Sequence, residues 1–302
     1  MSILVLGGRG KTSTHLATLL REHNIPFVVA SRNPTESGSI QHLRFDWLDE
    51  NTYPNVLSSK RDPIWAVYMV APEVPDCLTP MKKFIDHARQ RGTKRFVLLS
   101  SSAIAAGGPF FGKVHEYLCT LEVEYSVLRP SWFQGMLEII SPWMRTKWAN
   151  AQFGSENFTD LYNHDQIVQE GKIYSATRDG KVAFISAKDI AMAAFHLLTA
   201  EKSSDTDHIL QGPELLSYDE VAAIISEKSG RRVKHERITV ANLRAKYIEV
   251  GMPVEYAHTL AALESEIGDG SEAHLGDEFF RVTGRAPLSF RTFVDENFAG
   301  WL

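Results

Sequence analysis

The strongest constraint on the fold lies in the first dozen residues, where a short apolar run meets a glycine-rich turn. The run from Ile3 to Leu6 is followed at once by Gly7, and Gly10 opens a stretch with amphipathic helical spacing. Strand, glycine turn and helix in this order can hold the phosphates of a dinucleotide, because glycine permits the tight turn and the helix N-terminus offers N–H groups. The spacing is G-x-x-G-x-x-S, with Ser13 in place of a third glycine. A plain strand-to-helix turn therefore stays an alternative at this point.

Length and composition limit the classes of protein to consider. The chain has 302 residues, of which 44% are hydrophobic, enough for one large core with a smaller appended lobe. A net charge of −5 argues against nucleic acid or an anionic membrane as the main partner. The two cysteines, Cys77 and Cys119, form no C-x-x-C pair, and neither a targeting peptide nor a membrane-spanning run is visible. We expect a cytoplasmic protein that binds a small molecule, without disulfides and without a metal site.

Apolar runs alternate with helix-like segments through the first part of the chain. Six strands are predicted, at residues 3–6, 25–30, a brief run ending at Phe45, 65–71, 95–100 and 125–128. Helices are predicted between them, from Gly10 through Leu20 and at about 78–91 and 113–121. Continuous apolar strands between helices are typical of a parallel sheet covered on both faces. We predict an α/β fold with a doubly wound parallel sheet, the Rossmann fold that binds NAD(P), with its ligand crevice at the carboxyl ends of the strands.

The pattern changes after Pro130. Residues 131–172 contain aromatic side chains without clean periodicity, whereas Asp189 is predicted to cap a helix over Ile190–Thr199. A last sheet strand is predicted at residues 207–210, and the chain beyond Gly212 looks helical, with capping-box spacing from Ser217 to Glu220. We predict an NAD(P)-binding domain at 1–130, whose sheet is completed by about 182–212. A smaller, mostly helical substrate-binding lobe over 131–302 is partly interleaved with it.

The residues after the second predicted strand bear on the type of dinucleotide. Ser31-Arg32-Asn33 stands where an acidic residue would select NAD, and Arg9 lies within the glycine turn. Two guanidinium groups and a hydroxyl suit the 2′-phosphate of NADP, although Arg32 could be an ordinary surface arginine. The carboxylate of Asp46 could meet the adenine amino group, or could belong to a turn. The residues predicted to bind NADP(H) are Gly7, Gly8, Arg9, Gly10, Lys11, Thr12, Ser31, Arg32, Asp46, Trp47, Val70, Ala71 and Pro72.

A general acid common in short-chain dehydrogenases is missing. In those enzymes a lysine four residues after a tyrosine lowers the tyrosine pKa, so that the phenol can protonate a carbonyl oxygen. Here Tyr117 is followed four residues later by Leu121. Either the protein transfers no hydride, or its substrate needs no strong acid. An iminium ion meets the second condition, because hydride addition to its carbon gives a neutral amine directly.

Six residues are candidates for contact with a substrate. His115 could orient a substrate or relay a proton, or it could be satisfied within helix packing. Ser100 and Ser101 end the fifth predicted strand, where they could face the substrate or cap the local backbone. His115, Ser100 and Ser101 are the candidates for a catalytic role. Aromatic rings that could stack on an indole or on a cationic amine, or could be plain core, are those of Trp132, Phe133 and Tyr174.

Several stretches resemble a known family. The glycine turn, Asp46-Trp47, the run from Arg95 to Ser100 and Leu128-Arg-Pro130 resemble the NmrA-like group of atypical short-chain dehydrogenases. The chain resembles the fungal ergot-alkaloid reductases more closely, and this resemblance covers nearly the whole chain. It is carried by residues 3–12, 45–48, 112–118, 173–177, 179–181, 212–218, 251–253 and 256–257. The chain departs from that group after Pro130, where it reads Trp132-Phe-Gln-Gly-Met136 instead of Trp-Phe-Met-Glu-Asn and continues into a longer aromatic segment. The exact substrate is therefore open.

The resemblance implies a reaction. It implies NADPH-dependent reduction of the iminium that forms when a tricyclic chanoclavine-I-type aldehyde closes on its own secondary amine, giving a tetracyclic clavine such as festuclavine. Two other functions stay open. NmrA-like proteins include regulators that sense NADP without catalysis, and the missing acid would suit such a sensor. An NADPH-dependent enone or quinone reductase would need an acid to protonate the enolate, and we see no convincing one.

Overall fold

The structure is a computed structural model that describes residues 1–34, 40–57, 63–72, 74–134, 167 and 170–297. The chain divides into two compact units, each assembled from separate stretches. The first unit comprises Met1–Pro130, Ala187–Leu210 and Glu278–Arg285. The second unit comprises Ser131–Ser186, Gln211–Asp277 and Ala286–Leu302. Most of the aromatic segment singled out above, at 135–166 and 168–169, lies outside the described residues.

The described strands and helices are as follows. In chain order the strands are β1 (Ser2–Leu6), β2 (Phe27–Ser31), β3 (His42–Arg44), β4 (Ile64–Met69), β5 (Arg95–Leu99), β6 (Glu124–Pro130), β7 (Lys172–Ser175), β8 (Lys181–Val182), β9 (Thr206–Leu210), β10 (Leu216–Ser217) and β11 (Lys234–Arg237). The helices are α1 (Lys11–Glu22), α2 (Tyr53–Leu57), α3 (Leu78–Gln90), α4 (Phe111–Cys119), α5 (Ala187–Thr199), α6 (Tyr218–Ser229), α7 (Val240–Glu249), α8 (Val254–Gly268), α9 (Glu278–Thr283) and α10 (Phe290–Asn297).

The first unit is built on a seven-stranded sheet. The strand order is β3-β2-β1-β4-β5-β6-β9, and every neighbouring pair is parallel. The chain runs outward from β1 in both directions, so the order reverses between β1 and β4, and ligands of such sheets bind outside the carboxyl ends of the strands at this reversal. The predicted doubly wound parallel sheet is confirmed. Of its inner strands, β1 and β5 are buried at every residue and β4 at every residue except Trp65, because helices cover both faces.

One charged side chain lies inside this apolar layer. Arg95, at the start of β5, is 1% exposed. Its Nη1 donates to the carbonyl oxygens of Leu197, Leu198 and Ala200 at the C-terminal end of α5, at 3.1, 3.3 and 2.6 Å. Its Nη2 lies 2.5 Å from a carboxylate oxygen of Glu124. The last carbonyls of a helix lack partners within the helix, so this guanidinium satisfies them and complements the negative end of the helix dipole.

The second unit packs helices against short strands. Its two small sheets pair β10 with β8, antiparallel, and β11 with β7, parallel. The helix α6 begins with the predicted capping box, in which the Ser217 hydroxyl accepts from the backbone N–H of Glu220 and the Glu220 carboxylate accepts from the N–H of Ser217. The chain beyond Gly212 was expected to look helical, and the short strands β10 and β11 were not predicted there.

Two of the boundaries that differ from the sequence prediction illustrate the local causes. The strand β2 begins at Phe27 instead of Ile25, because the N–H of Ile25 bonds to the Leu20 carbonyl in the turn that ends α1. The helix α5 begins at Ala187, so Asp189 lies in its first turn and does not cap it. A carboxylate is favourable at either position, since both lie near the positive end of the helix dipole. The sequence therefore indicated correctly that Asp189 lies near the start of this helix, but the first helical residue was placed three residues too late.

Candidate functional site

The glycine turn connects β1 to α1 at the carboxyl edge of the sheet. Gly7 has φ +67°, a conformation that favours glycine, and its carbonyl accepts from the N–H of Gly10 at 2.7 Å. The N–H of Gly8 donates to the carbonyl of Ala30 at 3.0 Å, which holds the turn against β2. A Cβ at Gly8 would lie 2.1 Å from Cγ1 of Val29. The turn therefore needs glycine at both positions, one for its conformation and one for the close approach of β2.

The N-terminus of α1 has the character of an anion site. Its N-cap is Gly10, which offers no capping side chain, and the first turn contains no acidic residue. The N–H groups of that turn and the positive end of the helix dipole suit a phosphate. Ser13, which replaces the third glycine, is buried and donates to the Leu6 carbonyl at 2.9 Å. Thr12 is also buried, and its hydroxyl accepts from the Tyr68 hydroxyl at 3.0 Å.

The carboxyl end of β2 presents polar groups on the expected side of the turn. The hydroxyl of Ser31 is buried and has no hydrogen-bond partner among the described residues. A buried polar group without a partner is costly, which makes this hydroxyl a good contact for a bound ligand. Arg9 and Arg32 are both exposed. Recognition of a 2′-phosphate by these three residues stays a prediction.

The residues predicted near the adenine divide into two kinds. Asp46 is half-buried, and its Oδ1 accepts from the Leu48 N–H at 3.0 Å, as in an Asx turn. Trp47 is 8% exposed and packs edge-on against Phe84, while its indole N–H donates to the Val70 carbonyl at 3.0 Å. Its ring therefore belongs to the core and fixes the end of β4. The following residues Ala71 and Pro72 are half-buried beyond the same strand.

The serines that follow β5 differ in their surroundings. Ser100 is buried, and its backbone N–H donates to the Leu128 carbonyl at 2.7 Å in line with the sheet. Its hydroxyl has no hydrogen-bond partner among the described residues. Ser101 is half-buried, and its carbonyl accepts from Nε of Arg129 at 3.3 Å. Of the two, Ser100 offers the hydroxyl that a bound ligand could engage.

His115 lies on α4 and is 4% exposed. Its Nδ1 is buried and has no hydrogen-bond partner among the described residues. Burial lowers the pKa of His115 below its usual 6.5, Asp207 acts to raise the pKa, and Arg129 acts to lower it. The ring is therefore mainly neutral at pH 7, with a nitrogen that can accept or donate according to its tautomer.

Arg129 and Asp207 form a charged pair that the sequence analysis did not single out. Nη1 of Arg129, at the end of β6, lies 2.5 Å from Oδ2 of Asp207 on β9. Its Nη2 donates to the Ser102 carbonyl at 2.6 Å. Burial acts to raise the pKa of Asp207, but hydrogen bonding and charge from Arg129 outweigh it, so the pKa is lowered. One guanidinium thus fixes the segment after β5 that carries Ser100, and the Leu-Arg-Pro motif at β6 was the available signal.

Tyr117, on the same helix as His115, is directed elsewhere. Its hydroxyl donates to Oδ1 of Asp86 on α3 at 2.5 Å, and the ammonium of Lys82 lies 4.8 Å from its ring centroid. Burial and the Asp86 carboxylate raise the pKa of Tyr117 to about 12. The phenol therefore contacts α3 and is a poor acid, which agrees with the missing tyrosine–lysine pair.

The three aromatic candidates all belong to the second unit. Trp132 is buried in its core, together with Phe184 and Tyr218. Phe133 is half-buried and packs against that core. Tyr174, on β7, donates its hydroxyl to a carboxylate oxygen of Glu170 at 2.7 Å, and lysine ammonium groups lie 4.2 and 5.5 Å from its ring centroid. Phe133 and Tyr174 thus retain partly accessible rings, whereas Trp132 is mainly core.

The described residues contain neither a metal-binding cluster nor a membrane-spanning helix. Among these residues, no group of three or more His, Cys, Asp or Glu side chains is arranged to hold a metal ion. In the same part of the chain, no helix has the length and apolar character needed to cross a membrane.

Comparison with known proteins identifies the family. The fold and the glycine turn are those of the nucleotide-binding Rossmann class, and the NmrA-like family matches residues 143–283. Agroclavine dehydrogenase from Claviceps fusiformis is 43% identical over 307 residues, covering 100% of this chain and 99% of that protein. Festuclavine dehydrogenase easG from Aspergillus fumigatus is 40% identical over 309 residues, with coverage of 100% and 99%. The chain belongs to the NmrA-like family, in the group that includes these two dehydrogenases, which confirms the resemblance.

A solved structure supports the fold. An NADPH-dependent quinone oxidoreductase from Escherichia coli, in complex with NADPH, superposes with a TM-score of 0.75 at 18% identity. The match covers 98% of this chain and 99% of that chain. At this level of identity the likeness concerns the fold of the chain.

Proposed function

We propose that this protein is an NADPH-dependent reductase that transfers hydride to the carbon of an iminium ion in clavine-type indole alkaloid synthesis. Relatives at 43% and 40% identity over the full chain are named as agroclavine and festuclavine dehydrogenases, which supports the alkaloid class of substrate. The observation that carries the choice of an iminium is the position of Tyr117, which donates to Asp86 on α3. A phenol held there is not available to protonate a carbonyl oxygen.

The residues of the first unit fit NADPH. The turn at Gly7 and Gly8 allows the backbone to approach a pyrophosphate, and the uncapped N-terminus of α1 supplies N–H donors. Arg9, Arg32 and the unpartnered hydroxyl of Ser31 suit the 2′-phosphate. NADPH, when bound, supplies the hydride.

An iminium needs no acid from the protein. Closure of an aldehyde on its own secondary amine takes up one proton, releases water and leaves a positively charged C=N⁺ group. Addition of hydride to that carbon forms one C–H bond and returns the electron pair of the C=N bond to nitrogen, giving a neutral tertiary amine and NADP⁺. The tasks left to the chain are to hold the two reactants in line and to exclude water.

Residues around Ser100 are proposed to perform these tasks. The Ser100 hydroxyl and the neutral His115 ring each offer a polar atom without a partner among the described residues. A neutral imidazole beside a cationic substrate avoids charge repulsion, so the lowered pKa of His115 suits this role. Arg129 is proposed as a positioning residue, because it fixes the segment after β5 through the carbonyls of Ser101 and Ser102.

The aromatic candidates are not equivalent for a cationic substrate. The ring of Tyr174 already has the ammonium groups of Lys172 and Lys246 near it, and these would repel an iminium. Trp132 is buried in the core of the second unit and would contribute through support of its neighbour. Phe133 is half-buried, packs against the apolar core of the second unit, and is the ring we favour for stacking on the indole.

The proposal is tested with NADPH carrying deuterium at C4 and with chanoclavine-I aldehyde as substrate. We expect NADPH to be oxidised, and the mass of the clavine product to rise by one deuterium at the former aldehyde carbon. If the protein binds NADPH but no amine-bearing aldehyde causes its oxidation, the NADP-sensing regulator is indicated instead. NADPH oxidation in the presence of enones or quinones, but not of the aldehyde, would indicate an enone or quinone reductase.

A further inference from the structure

A second constellation with the character of a reactive site lies in the first unit, on β9 and the segments beside it. Nε2 of His208, in β9, lies 2.8 Å from the hydroxyl of Ser204, in the loop before that strand. Nδ1 of His208 lies 2.7 Å from Oε1 of Glu278, the first residue of α9. A hydroxyl in contact with a base that is itself oriented by a carboxylate is the signature of an activated nucleophile.

The hydrogen bonds of this group run in one direction. An ionised carboxylate only accepts, so Nδ1 of His208 donates to Glu278. In the neutral ring, Nε2 then carries the lone pair and accepts from the Ser204 hydroxyl. The hydroxyl of Ser126 lies 2.8 Å from that of Ser204 and donates to it in turn. The tautomer of His208 is thus the one in which the ring can remove the proton of Ser204.

Burial and accessibility also suit a reaction. The His208 side chain is 6% exposed, whereas Ser204 is an exposed residue. Both border an open cavity of about 500 Å³, which is within the size range of small-molecule sites. Leu197 and Val282 contribute apolar surface to this cavity, and Arg281 places a guanidinium there, 3.3 Å from Oε2 of Glu278. A small molecule with an apolar part and a polarised oxygen fits this lining.

We propose that Ser204, His208 and Glu278 form a second site, separate from the glycine turn, at which small carboxylic esters acylate Ser204. The Ser204 oxygen forms a bond to the ester carbonyl carbon while its proton passes to Nε2 of His208. The C–O bond to the alcohol breaks, and the alkoxide leaves with that proton. Water then adds to the acyl-serine with the same base, releasing the acid and restoring the hydroxyl. Arg281 stabilises the negative charge that develops on the carbonyl oxygen.

The second unit contains a similar group that serves as an internal comparison. The Ser175 hydroxyl lies 2.7 Å from Nε2 of His235, whose Nδ1 lies 3.4 Å from Oδ2 of Asp219. Ser175 is fully buried, however, and its hydroxyl also contacts that of Thr177 at 2.7 Å. No substrate can reach it without local opening. This second group has the residue types of a triad but not the access, so its serine should be inert.

The test uses the full chain, a fluorophosphonate probe and 4-nitrophenyl acetate. The probe should phosphonylate Ser204 with loss of fluoride, and peptide mass spectrometry should find no adduct at Ser175. General-base catalysis is typically worth ~10²–10⁴-fold, so His208→Gln should slow labelling at least a hundredfold. Ser204→Ala should reduce 4-nitrophenyl acetate hydrolysis to the level of the uncatalysed reaction while NADPH affinity stays unchanged.

Several results would overturn the proposal. They are an unmodified Ser204 in protein that binds NADPH normally, equal labelling of Ser204 and Ser175, and labelling that His208→Gln leaves unchanged. Should His208→Gln fail to fold, Glu278→Gln carries the same test, because Glu278 is more exposed and its amide cannot hold the ring in the same way. Labelling unaffected by Glu278→Gln would then count against the site.

Discussion

Replacement of Glu264 by glutamine should remove a pH dependence of stability that the structure attributes to one carboxyl group. Glu264, on α8, is 2% exposed. Its Oε2 accepts from the N–H of Ala176 at 2.8 Å, and its Oε1 accepts from the Tyr247 hydroxyl at 2.7 Å. Burial raises the pKa of Glu264 from its usual 4.5 to about 7, although both hydrogen bonds act to lower it. Desolvation is therefore the dominant effect.

The magnitude follows from the two pKa values. Between them the folded state keeps a proton on Glu264 that the unfolded chain has released, so stability falls as pH rises. The values differ by about 2.5, and each pH unit is worth about 1.4 kcal/mol, which gives ~3 kcal/mol. This contribution is fully present below pH 4.5 and is lost as pH rises through 7. Glutamine stays neutral throughout and keeps an oxygen for the Ala176 N–H.

Urea unfolding from pH 5 to pH 8 measures the effect. The free energy of unfolding of the wild type should fall by up to ~3 kcal/mol relative to Glu264→Gln across this range. Glu220→Gln is the matched control, because a hydrogen bond from the Ser217 backbone lowers the pKa of Glu220 and keeps it ionised over the same range. Parallel pH profiles for wild type and Glu264→Gln would refute the reasoning.

Four further outcomes are expected. Arg32→Ala should weaken NADPH binding by about ten- to hundredfold and NADH binding much less, since charge-assisted bonds contribute about 1.5–3 kcal/mol; equal losses in titration would contradict the 2′-phosphate assignment. Gly10→Val should weaken NADPH with little change in the melting temperature, and normal affinity would show the turn to be structural only. Tyr117→Phe should slow single-turnover hydride transfer much less than the ~10²–10⁴-fold typical of the loss of an obligate acid. A loss of that size would favour carbonyl or enone reduction. Arg95→Met should cost about 3–5 kcal/mol of unfolding free energy, because it leaves helix carbonyls and Glu124 without their partner, whereas exposed Lys94→Met should cost little.

The sheet could be predicted from the sequence because its strands are continuous apolar runs separated by helices. The errors occur at boundaries, where local hydrogen bonds decide. Ile25 is apolar and looked like strand, yet its N–H completes the end of α1. The short strands β10 and β11 were missed because two or four residues carry too little alternation to distinguish them from loops.

The candidate site was predicted in part. Strand ends and glycines are visible in the sequence, so Ser31 and Ser100 could be placed on the same edge of the sheet. Trp47 could not be assigned to the core, because its partner at Val70 is 23 residues away. Arg129 was overlooked for the same reason, since its partner Asp207 is 78 residues away and the pairing appears only when β6 and β9 lie side by side.

The first unit is discontinuous in the chain, which affects its folding during synthesis and the behaviour of fragments. Its seventh strand and the helices α5 and α9 come from residues 187–210 and 278–285, after parts of the second unit in the chain. During synthesis, β6 is therefore an open sheet edge until β9 emerges from the ribosome, and such an edge can pair with other chains. A fragment ending at Pro130 should aggregate for the same reason.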